Sequence, residues 1–405
     1  MNDVVIKEHD LDLERLVQPP ISETFGKTVD IFSLKSVEQS DYLNSARANH
    51  EAISKLLEGR EITNLDCPVC GGTCSKEPVV VIHGGKYLQC GECTHLHVGN
   101  GLTEEELSEH YKESQKYAAT YTNPEKAQLR VNQVATPKAE WMLKVYRDLH
   151  GNILQDPNVL DVGAGGGHFV KACRDMNLQV EGIELSRPSI SFAKNVFNIE
   201  LSNRDFLGVS ADEVKNPRLI TFWGVIEHVK DPVAMLKKAN DLLKDEPGMV
   251  VASVPNFRSG STIIQMMYPD TAVRHIGPIE HGNIFTEKSI SRSFEKASIT
   301  PTHAWYFGMD AYEIWTQLVT CGRVKSQDFS VDGFMSDFDR IRESLGIAGG
   351  VSQEVRGLVT KLTSLKDSGD FSEALDLLPK LQLAFDEERA SDEITLAGIP
   401  SSEQM

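Results

Sequence analysis

The chain has 405 residues, 40% of them hydrophobic, enough to bury a sizeable core in two or three domains, and 41 basic against 59 acidic side chains give a formal charge of -18. That charge disfavours a nucleic-acid partner, because no local basic stripe offsets it. No apolar run reaches the ~20 residues of a membrane span, MNDVVIKEHDLDLERL lacks a signal-peptide layout, and the seven cysteines fall mostly in Cys-x-x-Cys spacing, so a cytoplasmic protein with thiolate or metal chemistry is predicted.

In chain order, residues 1–66 form a polar N-terminal extension with one good helical stretch, in which Leu43, Ala46, Ile53 and Leu57 share a face. Residues 67–100 change to short strand-like pieces punctuated by Gly and Cys. Here CPVC supplies Cys67 and Cys70, and CGEC supplies Cys90 and Cys93. Two such knuckles about twenty residues apart suit a tetrahedral four-thiolate zinc site; with no open position, a structural Zn2+ is expected. Cys74, His83, His95 and His97 are nearby alternative ligands, and a redox role for the cysteine pairs is the other reading.

Residues 101–157 read as a helical linker. From 158 to 325 apolar strands alternate with amphipathic helices, the order that builds a mostly parallel sheet. Residues 326–391 read as helical and acidic, and 392–405 as a disordered tail.

The chemistry concentrates in NVLDVGAGGGHFVKACRDMNLQVEGIELS. An apolar strand ends at Asp161, and Gly163, Ala164, Gly165 and Gly167 form a turn into a helix, where glycine lets a ligand approach the backbone. Glu184 ends the next strand, beside Leu185, where a carboxylate can accept both hydroxyls of a ribose. The dinucleotide fingerprint is matched only in part, because His168 occupies its sixth position. A tight βα connection with a solvated Glu184 is the plainer alternative.

DVGAGGGHF resembles the first motif of class I S-adenosylmethionine-dependent methyltransferases, and GIELS resembles their acid-ended second strand. In order, NRDFLG places Asp205 and Phe206 where such enzymes hold adenine, and LITFWGVIEHVKDP, with Trp223, is similar to their fourth strand. The subgroup is the one related to ubiquinone-biosynthesis methyltransferases. The resemblance implies an α/β fold: a Rossmann-like class I methyltransferase sheet with an N-terminal four-cysteine zinc-ribbon-like module and a helical C-terminal extension. It also implies S-adenosyl-L-methionine as cofactor.

The sulfonium methyl arrives activated, so the protein must mainly align a nucleophile and take its proton. Glu227 and His228 follow the fourth strand, and Glu280 and His281 lie in a long connection after the fifth; either histidine is a candidate base, and either suits a packing or structural role equally well. In the ubiquinone-type enzymes a Glu three residues before the Glu-His pair helps bind a divalent cation. Gly224 stands there in this chain, so the pair lacks a third ligand and activity is expected to survive brief chelation. Cysteine knuckles ahead of such a domain are similar to those of deoxysugar C-methyltransferases and polysaccharide-cluster methyltransferases, in which the module helps close the substrate pocket; Tyr111, Tyr117 and Tyr121 are candidate lining. The expected acceptor is a small molecule or glycan, a nucleotide-linked sugar or polysaccharide unit first, a natural-product or quinone-like hydroxyl second. A non-catalytic cofactor-binding regulator is the rival outside enzymes. The C-terminal helices are a candidate homodimer or assembly contact.

Overall fold

Strands buried on both faces are apolar on both faces, and VLDV, LITFW and MVVASVP follow that pattern except at Asp161, Thr221 and Ser253: they form the centre of a parallel sheet. The computed structural model describes residues 5–6, 21–27, 34, 39–113, 122–151, 157–243, 247–272, 275–322, 328–347, 351–368 and 371–401. Its strands in chain order are β1 (Val5–Ile6), β2 (Ser22–Phe25), β3 (Val80–Ile82), β4 (Gly85–Gln89), β5 (Leu96–Val98), β6 (Val159–Val162), β7 (Val180–Ile183), β8 (Leu219–Trp223), β9 (Met249–Pro255), β10 (Asn283–Ile284), β11 (Ile299–Phe307) and β12 (Glu393–Pro400).

The larger sheet has the order β2-β11-β12-β9-β8-β6-β7. Strands β7, β6, β8 and β9 are mutually parallel, and β12 enters antiparallel between β9 and β11. The connecting helices are capped as their sequences dictate: Ser186 caps Arg187–Phe197, and Asp231 caps Pro232–Leu242 through Ala234 N–H at 2.8 Å.

The disordered tail expected over 392–405 is corrected by β12, whose register runs from Glu393 opposite Pro255 to Gly398 opposite Val250. The C-terminal helices Asp310–Trp315, Val331–Ser344, Gln353–Ser368 and Phe371–Glu387 therefore lie between β11 and β12 in the chain. Their apolar faces include Phe338, Val355, Leu381 and Phe385, and these are buried in one core with Ile264 and with Val80, Tyr87 and Leu96 of the small sheet.

That small sheet has the order β1-β3-β4-β5-β10. Its last strand comes from the methyltransferase-like region, so one ladder joins the residues on either side of position 100: β10 pairs with β5, Asn283 opposite His97 and Ile284 opposite Leu96. The predicted N-terminal helix is Gln39–Leu57, and it buries Ile53 and Leu57 against Leu102, Leu107 and Ile279. Tyr117, Tyr121 and the side chain of Tyr111 lie outside the described residues. Among the described residues no helix is long and apolar enough to cross a membrane.

Candidate active site

At the carboxyl end of β6 the backbone turns through left-handed conformations at Gly163 (φ 71°), Gly165 (φ 52°) and Gly167 (φ 77°). Gly163 and Ala164 N–H both donate to Ile183 O, at 2.9 and 3.0 Å, which pins the turn to the end of β7. A Cβ at Gly163 would lie 2.6 Å from Val225 Cγ2, so glycine here lets the segment after β8 close onto the loop. A Cβ at Gly167 would lie 3.0 Å from the Ala193 methyl, so that glycine serves helix packing.

Glu184 is buried where β7 ends. Its Oε2 accepts Gly165 N–H at 2.7 Å, and its Oε1 accepts Ser186 N–H at 2.7 Å. Burial raises its pKa, and these backbone donors pull it back towards the charged form. Asn203, which sequence reasoning passed over, donates to the carbonyls of Glu184 (3.0 Å) and Leu185 (3.1 Å) and fixes the strand end. Beneath the loop Asp161 accepts the Thr221 hydroxyl at 2.8 Å, and burial pushes its carboxyl up to about 7.

Leu185 and Leu207 stand 40% and 42% exposed, two apolar surfaces beside Glu184 and Asp205. Phe206 departs from the expectation that it faces adenine: it is 2% exposed, with its ring edge on Phe222 at 5.5 Å in the core. Asp205 accepts Leu207 N–H at 3.1 Å and so caps the short turn that presents Leu207. Trp223 at the end of β8 packs on Phe169 (5.3 Å), with Lys138 Nζ 4.8 Å over its ring. Lys138 also lies 3.7 Å from Glu393 Oε2, which accepts Ser253 Oγ at 2.9 Å. The last strand therefore contributes a charged group to this cleft, which its place in a presumed tail concealed.

The four proposed acceptor-side residues divide. Glu227, His228 and His281 come together, with ligand-capable atoms all within 4.8 Å of one another. Glu280 enters through its backbone: His228 Nδ1–H donates to Glu280 O, and the Glu280 carboxylate is not in the cluster. His281 Nδ1–H donates to His275 O at 2.6 Å, while His275 Nε2 meets Asp392 Oδ1. Burial pushes the Glu227 carboxyl up to about 8, with Glu393 adding to it, and pushes His228 down to about 4. Asn283 stitches the two segments together, its N–H donating to Glu227 O (3.1 Å) and its Nδ2 to Val229 O (2.6 Å).

The cysteines form two hairpin knuckles, closed by Gly71 N–H to Cys67 O (2.9 Å) and Thr94 N–H to Cys90 O (3.0 Å). Cys67 and Cys93 Sγ are 3.5 Å apart, Cys70 and Cys90 Sγ 3.4 Å, and all four sulfurs lie within 4.8 Å. Hydrogen bonds from Cys67, then Cys74 and Cys93, drive the Cys90 thiol towards the thiolate. Four sulfurs at this separation fit one tetrahedral ion. The histidine alternatives are engaged elsewhere: His95 Nε2 with Asn283 Oδ1 at 2.9 Å, His97 Nε2 with Asn64 O at 3.4 Å, and His83 stacked on His50 at 3.7 Å.

Residues 135–303 match the family described as "Methyltransferase domain". Curated relatives include a ubiquinone biosynthesis O-methyltransferase of Bordetella avium, 24% identical over 46% of this chain and 77% of the relative. Enzymes of the same name from Nitrosospira multiformis (31% identical, 24% of this chain, 43% of the relative) and Coxiella burnetii (32%, 22% and 41%) are matched over less than half of their length. Among solved structures, a geranyl diphosphate C-methyltransferase from Streptomyces coelicolor aligns over 73% of this chain and 97% of its own at 12% identity and a TM-score of 0.37. A parallel sheet with a glycine turn and an acid-ended second strand, carried on a matched methyltransferase segment, defines the class. Residues 135–303 are a methyltransferase domain, and its glycine turn and acid-ended second strand are features of the class I S-adenosylmethionine-dependent enzymes.

Proposed function

We propose that the chain moves the methyl group of S-adenosylmethionine to a hydroxyl oxygen of a small-molecule acceptor, bound between the glycine loop and the Glu227–His228–His281 cluster. The observation that carries this reading is Val225: it abuts Gly163 and stands two residues before Glu227, so the cluster adjoins the loop that would cradle the cofactor. Glu184 would hold the ribose, Leu185 and Leu207 the adenine, and Lys138 a carboxylate of cofactor or acceptor. The acceptor oxygen attacks the methyl carbon as the carbon–sulfur bond breaks, leaving S-adenosylhomocysteine; the hydroxyl proton leaves to water at the end of the site where Glu227, His228 and His281 stand. The names of the ubiquinone O-methyltransferases support oxygen as the methylated atom.

A structural Zn2+ at Cys67, Cys70, Cys90 and Cys93 belongs to the same proposal and rests on the sulfur geometry. A nucleotide-linked sugar is the second acceptor reading, favoured by the way the cysteine module grips the acceptor side: Tyr87 Oη donates to His281 O at 2.9 Å, and β10 pairs with β5. The deciding experiment offers isotope-labelled S-adenosylmethionine with catechol-type and sugar-nucleotide acceptors and locates the label. Methyl on oxygen of a catechol supports the first reading; methyl on a sugar supports the second; no transfer to any hydroxyl compound overturns both.

A further inference from the structure

The fold brings His281, from the segment before β10, to the Glu227–His228 pair that follows β8. We infer that Glu227, His228 and His281 form a divalent transition-metal site, distinct from the cysteine site and built from two segments more than fifty residues apart.

The geometry has the parts such a site requires. The ligand-capable atoms of the three residues lie within 4.8 Å of one another, and His228 Nε2 stands 3.8 Å from Glu227 Oε1. Each histidine directs Nδ1–H onto a backbone carbonyl, His228 onto Glu280 O and His281 onto His275 O. That fixes the tautomer with the lone pair on Nε2 and sets the ring orientation, the supporting arrangement that metal-ligating imidazoles use. Glu227 Oε2 is buried and has no hydrogen-bond partner among the described residues, a costly state for a carboxylate oxygen that an ion would relieve. The frame is stiff: His281 N–H donates to Gly277 O at 2.7 Å, and Asn283 ties its segment to the carbonyls of Glu227 and Val229.

Two imidazoles and one carboxylate select a borderline ion such as Zn2+, Co2+, Fe2+ or Mn2+ over Mg2+ or Ca2+, which want an oxygen shell. Three protein ligands leave coordination positions for water or for an acceptor oxygen, unlike the closed four-sulfur site. That the ion meets the acceptor rests on the methyl-transfer reading; that the ion binds does not.

The test is equilibrium dialysis of the zinc-loaded full chain against Co2+, followed by elemental analysis, with calorimetry of S-adenosylmethionine binding run in parallel. The expected result is one zinc and one cobalt per chain, with cobalt affinity falling at least ~10–100-fold in both His281→Ala and Glu227→Gln while zinc content holds. Unchanged S-adenosylmethionine binding in the isosteric Glu227→Gln shows that the fold survives the change. The proposal is overturned if the wild-type chain takes up no second metal, or if both variants bind cobalt as the wild type does. Failure of the methyl-transfer reading would appear separately, as loss of S-adenosylmethionine binding in the wild type.

Discussion

Glu184 and Gly165 are joined by a 2.7 Å hydrogen bond from the glycine amide to the carboxylate, across the gap between two adjacent strand ends. The bond couples the two halves of the proposed cofactor site: the loop that must lie open to the ligand is shaped by the residue that would hold the ribose. A carboxylate so placed has further lone pairs for two hydroxyls; burial raises its pKa, and its backbone donors oppose that rise.

Gly163→Val should abolish measurable S-adenosylmethionine binding. The left-handed backbone at φ 71° costs a β-branched residue about 1–2 kcal/mol, and the new side chain meets Val225 where no space exists. Calorimetry reads the effect directly, and a variant with wild-type affinity would show that the loop does not face the cofactor.

Purified protein should carry one zinc per chain in the cysteine site. Because β10 is part of the module's sheet and Tyr87 holds His281 O, the damage in Cys90→Ser should spread to the acceptor end. Turnover should fall while S-adenosylmethionine affinity stays. Zinc-free protein from chelator-free purification, or a Cys90→Ser enzyme with normal turnover, would contradict this.

His281→Ala should lower turnover about 10²–10⁴-fold with little change in cofactor affinity, whereas Glu280→Gln should cost far less, since the Glu280 contact to His228 is made by its backbone carbonyl. Steady-state kinetics on the true acceptor compares them, and equal losses in the two variants would remove the distinction.

Acid should loosen the cysteine module before it reaches the sheet. Burial, then the charge of His50, pushes His83 down to about 3, and burial pushes His95 to about 3, so both fold in the neutral form. With folded pKa values below the unfolded 6.5, their stabilisation is complete above that value and is lost as the pH falls through the window towards 3. At pH 5 each contributes a loss on the order of 2 kcal/mol. His83→Asn keeps a residue that tolerates the left-handed backbone there (φ 48°) and should flatten the pH dependence of thermal unfolding; an unchanged slope would count against the assignment.

What was legible in the sequence were the features that depend on local pattern: the glycine turn with Glu184, the cysteine knuckles, and the alternation of apolar strands with helices. What was not legible depends on pairing at a distance. EITLAGIP follows an acidic helical region and carries a glycine, so nothing local marks it as β12; its identity comes from lying between β9 and β11. Phe206 looked like a cofactor wall because the order of motifs placed it there, but the turn capped by Asp205 rotates it inward and presents Leu207. His281 lies more than fifty residues from Glu227 and His228, and no local pattern marks the contact that the Asn283 hydrogen bonds hold in place.

The central claim is that Glu184, at the end of β7, anchors S-adenosylmethionine beside the glycine loop, and calorimetric titration of the cofactor into Glu184→Ala tests it most directly. Binding should weaken by about 1.5–3 kcal/mol, the scale of charge-assisted hydrogen bonds, in a chain that still unfolds cooperatively. Wild-type affinity in the folded variant would contradict it.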